Sequence, residues 1–272
     1  MSRAIAVFHG QFGRATLYQL NRPFNTHAHR EGHLIFHLRG SPGCIDVSGK
    51  RSPLTNDTVV AVSPWEPHNF VPQDFEAGAL FLIFYVDCEW FARGGGVHSL
   101  RFGKPLIDRS PSLDLQIRKA AAMLSGAAPV GDLDRELRSL IEACFEETWR
   151  RADQPVERKA IEGVSDFRVR KSIRLMEESL AADLQLDAVA RESGLSRPHF
   201  YKLFRSHTGL TPNLFLNTLL MERALDRLVR SEKPVAEIGF DLGFPSQSGF
   251  TRFFAANVGM APTDYRRAAQ VV

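Results

Sequence analysis

Leu186-Asp187-Ala188-Val189-Ala190 followed by Gly194-Leu195-Ser196 decides the fold, because the chain carries it twice. Leu186, Val189, Ala190, Gly194 and Leu195 are matched 49 residues on by Val235, Ile238, Gly239, Gly243 and Phe244. Phe200, Phe204, Gly209, Pro212 and Phe215 are matched 50 residues on by Phe250, Phe254, Gly259, Pro262 and Tyr265. The extra residue falls in the turn, where an insertion is absorbed most easily. A period of this length marks a duplicated supersecondary unit.

Each copy has the layout of a helix-turn-helix. A short amphipathic helix, Leu186 to Glu192, is expected to end at Gly194, which supplies the left-handed residue. Ser196 is expected to cap the next helix through its side chain, as Ser246 is in the second copy. Phe200, Leu203 and Phe204 form one apolar stripe, and Phe250, Phe253 and Phe254 the other. The residues off these stripes are candidates for DNA contact. They are Arg197, Pro198, Tyr201, Lys202 and Arg205 in the first copy, and Gln247, Ser248, Thr251 and Arg252 in the second. Arginine and lysine can reach guanine edges or phosphates, and glutamine can pair with adenine. A long helix, Pro212 to about Val229, joins the copies. Eighteen residues rising ~1.5 Å each give ~27 Å, which suits recognition helices set about one DNA turn, ~34 Å, apart.

Charge agrees with this placement. The 272 residues carry 34 Lys+Arg and 31 Asp+Glu. From Asp166 onward there are 15 basic and 12 acidic residues, so all the excess positive charge lies in the C-terminal part. With 44% hydrophobic and 24% charged residues the chain is globular in composition. Its length predicts two domains. The longest apolar run, Ala79 to Val86, has the length of a strand rather than a membrane helix. The first ten residues hold too short an apolar stretch for a signal peptide, so a cytoplasmic protein without membrane contact is expected. Cys44, Cys88 and Cys144 form no paired motif, which fits a reducing compartment.

Residues before about 105 read as β-structure. Apolar runs at His33–Leu38, Cys44–Val47, Thr58–Val62 and Ala79–Val86 alternate with Pro, Gly and Asn-Asp turns, as in a sandwich or small barrel. From Ser112 the period becomes helical. Leu113, Ile117, Ala120 and Leu124 share a face. After Ala128-Pro129-Val130-Gly131, a second helix carries Leu133, Leu137, Leu140 and Cys144 in heptad-like steps. That stripe suits either packing within its own domain or a dimer seam. Asp153-Gln154-Pro155 and Glu162-Gly163 read as linker.

The segment Leu184 to Arg267 resembles the AraC/XylS family of bacterial transcription regulators. The resemblance rests on the repeated pieces above, with Val235-Ala236-Glu237-Ile238-Gly239, Phe250-Thr251-Arg252-Phe253-Phe254 and Gly259-Met260-Ala261-Pro262-Thr263-Asp264-Tyr265-Arg266. It covers about a hundred residues when Asp166 to Ala182 are included. Two positions depart from the pattern. Gly249 stands where a larger residue is usual, and Pro198 sits in the first turn of the first recognition helix.

The resemblance implies an α+β multidomain protein. A cupin-like, effector-sensing β-barrel (1–110) would lead into a helical hairpin for dimerisation (111–152) and a linker (153–165). An all-α domain of two helix-turn-helix units would follow (166–272). It implies a sequence-specific DNA-binding regulator, expected here as an activator and homodimer. Its partners would be double-stranded DNA, RNA polymerase and a small effector of unknown identity. His27-Ala28-His29, His33 and His68 resemble the histidines of metal-binding cupins, with His33 in place of a glutamate. His27, His29 and His33 would share a face of an extended strand. These four could hold zinc, iron, copper or nickel. Together with His37 and Trp65 they could instead bind an organic effector, or they could pack. Phe36, Arg39 and Tyr85 are further pocket candidates.

A cupin-type oxygenase or isomerase is the rival reading. The duplicated helix-turn-helix argues against it, and no nucleophile triad, phosphate loop or acid/base carboxylate pair supports it. A degenerate barrel used only for dimerisation or protein contact is the other alternative.

Overall fold

The computed structural model describes residues 2–93, 100–126, 133–150 and 164–271. The expected break at 128–131 and the linker residues 153–163 lie outside the described residues. The chain divides into two compact units. Met1–Val156 with Val258–Val272 forms one, and Glu157–Asn257 forms the other. Residues 258–272 therefore group with the N-terminal strands.

Among the described residues the first unit has ten strands. They are β1 (Arg3–Gly10), β2 (Gly13–Leu20), β3 (Gly32–Gly40), β4 (Gly43–Val47), β5 (Lys50–Leu54), β6 (Thr58–Val62), β7 (His68–Pro72), β8 (Ala79–Val86), β9 (Leu106–Asp108) and β10 (Ala269–Val271). Seven form one sheet in the order β10-β1-β2-β8-β3-β6-β9, and three form a second in the order β5-β4-β7. The strand pattern left a sandwich and a small barrel open, and the resemblance implied a barrel. Among the described residues no ladder joins the two sheets, so the strands form two separate sheets rather than a closed barrel. All neighbours are antiparallel except β1 and β10, which run parallel with Val7 opposite Ala269.

Strand β8 explains the unit's two interiors. It lies between β2 and β3 and is apolar on both faces. Because side chains alternate, Leu82, Phe84 and Val86 enter one core with Leu34 and Phe36 of β3. Phe81, Ile83 and Tyr85 line a cavity on the other face, together with His33 and Ile35 of β3 and Phe70 of β7.

The first core is closed by α1 (Cys88–Arg93), α2 (Pro111–Leu124) and α3 (Leu133–Trp149). Ser110 caps α2 by accepting from the Leu113 amide at 3.3 Å. Leu113, Ile117, Ala120 and Leu124 are buried as the period predicts. Leu137, Leu140 and Cys144 are fully buried in the same core, which α2 and α3 share. The heptad-like stripe is thus consumed within one chain and leaves no seam on that face for a second copy.

The second unit begins with α4 (Phe167–Glu178), capped by Asp166. Then come α5 (Leu186–Glu192), α6 (Arg197–Thr208), α7 (Pro212–Arg230), α8 (Val235–Asp241) and α9 (Gln247–Val258). Helix α10 (Pro262–Ala268) follows and belongs to the first unit. The repeat is visible in the lengths. Helices α5 and α8 have seven residues each, and α6 and α9 have twelve. The turns account for the shift from 49 to 50, with residues 193–196 in one and 242–246 in the other. Gly194 and Gly243 adopt φ of +74° and +81°, which places a left-handed residue after each first helix. No helix among the described residues is long and apolar enough to cross a membrane.

Candidate DNA interface and histidine cluster

In both copies the aromatic stripe is turned inward. Phe200, Phe204, Phe250 and Phe254 are fully buried, while Leu203 and Phe253 are only half-buried. The caps differ. Ser246 Oγ accepts from the Gly249 amide at 3.1 Å, as expected. Ser196 stands at the cap position of α6 without a side-chain bond to it. Pro198 in the first turn of α6 removes one amide the helix could not have satisfied internally, so it is tolerated there.

The nine candidate contact residues lie on the opposite faces of the stripes. Arg197, Pro198, Lys202 and Arg205 of α6 are exposed, and Tyr201 is half-buried. Gln247, Ser248 and Arg252 of α9 are exposed, and Thr251 is half-buried. Three of these groups are engaged with their own chain, among them Ser248, whose Oγ lies 3.2 Å from Ser246 Oγ. Arg197 pairs with Asp187 at 3.1 Å, and Tyr201 donates to Asn213 Oδ1 at 3.3 Å. An exposed pair of this kind contributes little, so a phosphate can compete for the guanidinium.

The first unit brings four histidines together. His27 and His29 do not lie on a strand, contrary to the alternation argument. They sit in the loop before β3, and His27 is held there by a two-bond bridge to His68 of β7. Both of its N–H···O bonds measure 2.9 Å. His29 is fixed by its carbonyl, which accepts from the Trp65 amide at 2.7 Å. Trp65 takes a φ of +62° in the turn that does this. Convergence therefore comes from loop-to-strand pairing, not from a shared strand face.

All four imidazoles are buried. The rings of His27 and His68 are 4.4 Å apart, and those of His27 and His29 are 4.9 Å apart. His33 stacks on Tyr85, its cross-strand partner, at 4.3 Å. His33 Nδ1 lies 3.0 Å from His68 Nε2. Burial disfavours the imidazolium form throughout. It pushes His27 down to about 4 and holds His29, His33 and His68 well below the usual imidazole value. Neighbouring imidazoles add to this at His29, His33 and His68. The cluster is therefore neutral at neutral pH.

The other two expected pocket residues lie elsewhere. His37 is buried, but its Nδ1 is bonded to Asn56 Oδ1 at 2.7 Å. The Trp65 ring is half-exposed and faces Arg30. Of the further candidates, only Tyr85 lines the cavity, while Phe36 packs in the opposite core. Sequence reasoning missed Arg14 and Tyr265. Arg14 is buried on β2 with its guanidinium 3.6 Å over the Tyr85 ring. Its Nη1 donates to the Tyr265 hydroxyl at 3.3 Å. The cavity bounded by His27, His33, His68 and Tyr85 has a volume of about 20 Å³, room for about one water-sized guest.

Two helix-turn-helix units with buried aromatic stripes and outward polar faces define a DNA-binding protein. A family model described as a helix-turn-helix domain matches residues 189–268. The regulatory protein SoxS of Salmonella typhimurium is 32% identical over 94 residues, which cover 35% of this chain and 88% of SoxS. The transcriptional activator RhaS of Salmonella schwarzengrund is 29% identical over 108 residues, which cover 40% of this chain and 39% of RhaS. This chain belongs to the AraC/XylS family of transcription regulators, whose relatives here are named as regulators and activators, not enzymes. In fold it is similar to ToxT of Vibrio cholerae O395, with a TM-score of 0.59 at 13% identity, over 93% of this chain and 96% of ToxT.

Proposed function

We propose that this chain is a sequence-specific transcription regulator that places α6 and α9 in successive major grooves and responds to a ligand held in its N-terminal sandwich. One observation carries the DNA reading: both twelve-residue helices bury their phenylalanines and turn Arg, Lys, Gln and Ser outward. Helix α7, which joins the copies, has 19 residues and spans ~28 Å, compatible with one turn of DNA. The sensing reading is supported by a small apolar cavity with His27, His33 and His68 at its polar end. A solved structure of ToxT carries a bound unsaturated fatty acid, in a protein of the same fold. The ligand acts only to the extent that it binds one arrangement of the protein better than another.

In this reading the protein is cytoplasmic, binds double-stranded DNA as a homodimer, and contacts RNA polymerase when it activates. With the stripe of α2 and α3 occupied, the dimer must use another surface. The test is selection of binding sequences from random DNA, followed by anisotropy titration at two salt concentrations. A recovered consensus with two half-sites and a steep loss of affinity with salt is expected. Binding that ignores sequence would sink the proposal. Ligand response is read separately, by thermal shift, since a ligand specific to the native state must raise its stability.

A further inference from the structure

The histidine cluster is preset for one kind of guest. His27 Nδ1 lies 2.7 Å from the Asn25 carbonyl, and His68 Nδ1 lies 2.9 Å from the Glu66 carbonyl. A carbonyl only accepts, so both Nδ1 atoms carry the proton and both Nε2 atoms keep a lone pair. A second-sphere carbonyl on the other ring nitrogen is how proteins orient a metal-ligating histidine. His29 adds a buried Nε2 with no hydrogen-bond partner. One ring nitrogen from each of His27, His29 and His68 lies within 4.8 Å of the others.

We propose that His27, His29 and His68 hold one divalent transition-metal ion, and that His33 is the group this ion displaces from His68. The proposal deepens the sensing reading by naming the ligand class. The His68 Nε2 lone pair is now used by His33, whose Nδ1–H donates to it across 3.0 Å. A lone pair cannot serve a proton donor and a metal together, so loading must break this bond. The three nitrogens must also draw in to about 3.3 Å, the separation that metal–nitrogen bonds of ~2.0–2.1 Å impose in a tetrahedral site. Neutral imidazoles with no carboxylate among them favour zinc, copper, nickel or iron(II) over magnesium or calcium. The released His33 remains stacked on Tyr85, which in turn supports Arg14.

The experiment uses the full chain, free of any tag, stripped of metal and titrated with Zn²⁺ against a chromophoric chelator. One zinc per chain is expected. His29→Ala and His68→Ala should each weaken binding by about a hundredfold. His33→Phe keeps a ring on Tyr85 but removes the competing donor, and should tighten binding about three- to tenfold. Wild-type protein that takes up no zinc, or alanine variants that bind it unchanged, would overturn the site. Weaker binding by His33→Phe would make His33 a ligand and overturn the displacement. The wild-type chain loaded with Cu²⁺ gives a check that needs no variant to fold. Its electron paramagnetic resonance should show coupling to three imidazole nitrogens, and a spectrum without nitrogen coupling would overturn the assignment. DNA affinity is read apart from metal content. Zinc uptake without any change in DNA affinity would leave the site standing and sink the sensing role alone.

Discussion

Gly239 of α8 lies so close to Phe250 of α9 that a Cβ added to the glycine would stand 2.9 Å from the Phe250 Cβ. The first copy has Ala190 at the matching position. Gly239→Val should force α8 and α9 apart and cost about 1–3 kcal/mol through overpacking. Urea denaturation of the full chain checks this, and unchanged stability would mean that the helices separate without strain.

Arg252 projects from the exposed face of α9, one residue before the half-buried Phe253. Arg252→Ala should lower affinity for a selected binding sequence by ~1–3 kcal/mol and relax base preference at one position. Affinity for unrelated DNA should change much less. Equal losses on both DNAs in anisotropy titrations would assign Arg252 to a phosphate instead.

The buried histidines set a pH dependence whose direction follows from their depressed values. Between the folded and unfolded values the unfolded chain binds more protons, so stability is complete above about pH 6.5 and is lost as pH falls. For His27 the loss runs down to about pH 4. Metal-free protein should therefore lose at least about 2 kcal/mol between pH 6.5 and 5. Urea midpoints measured across that range in a chelating buffer test this. A flat profile would mean that the four rings are hydrated in solution.

Tyr265 of α10 ties the end of the described chain to β1 and β2. Its hydroxyl lies 2.9 Å from His9 Nε2 and accepts from buried Arg14. Burial pushes this phenol up to about 12, so it stays protonated at neutral pH. Tyr265→Phe should cost about 1–3 kcal/mol, because a buried charge loses one of its acceptors. Thermal denaturation should show one transition shifted down, and an unmoved transition would show that the hydroxyl adds no stability.

The DNA-binding half was legible because duplication makes a local signal louder. Two glycines with the same φ and two pairs of phenylalanines at one spacing give a pattern that tertiary contacts then obey. The stripe of Leu133, Leu137, Leu140 and Cys144 was legible as a buried face, but its partner was not, since intrachain and interchain packing demand the same residues. The histidine cluster was half legible. His27, His29, His33 and His68 do meet, yet the reason is the bridge between His27 and His68, a long-range pairing with no periodicity. Tyr265 was visible as a member of the repeat, but its bond with Arg14, 251 positions away, left no trace in any local pattern. The choice between a sandwich and a barrel was likewise left open, because alternation reports which side of a strand is buried and not whether a sheet closes.

The parallel pairing of β10 with β1 has a consequence for how the molecule is made. Residues 157–257 are an insertion within the first unit, so they can fold as soon as they leave the ribosome. The outer edge of β1 cannot be paired until residues 269–271 have also emerged. Through most of synthesis that edge is an open template for other strands, and its pairing closes a loop of the greatest sequence separation in the sheet. Completion of the sheet that carries His33 thus waits on the strand farthest along the chain.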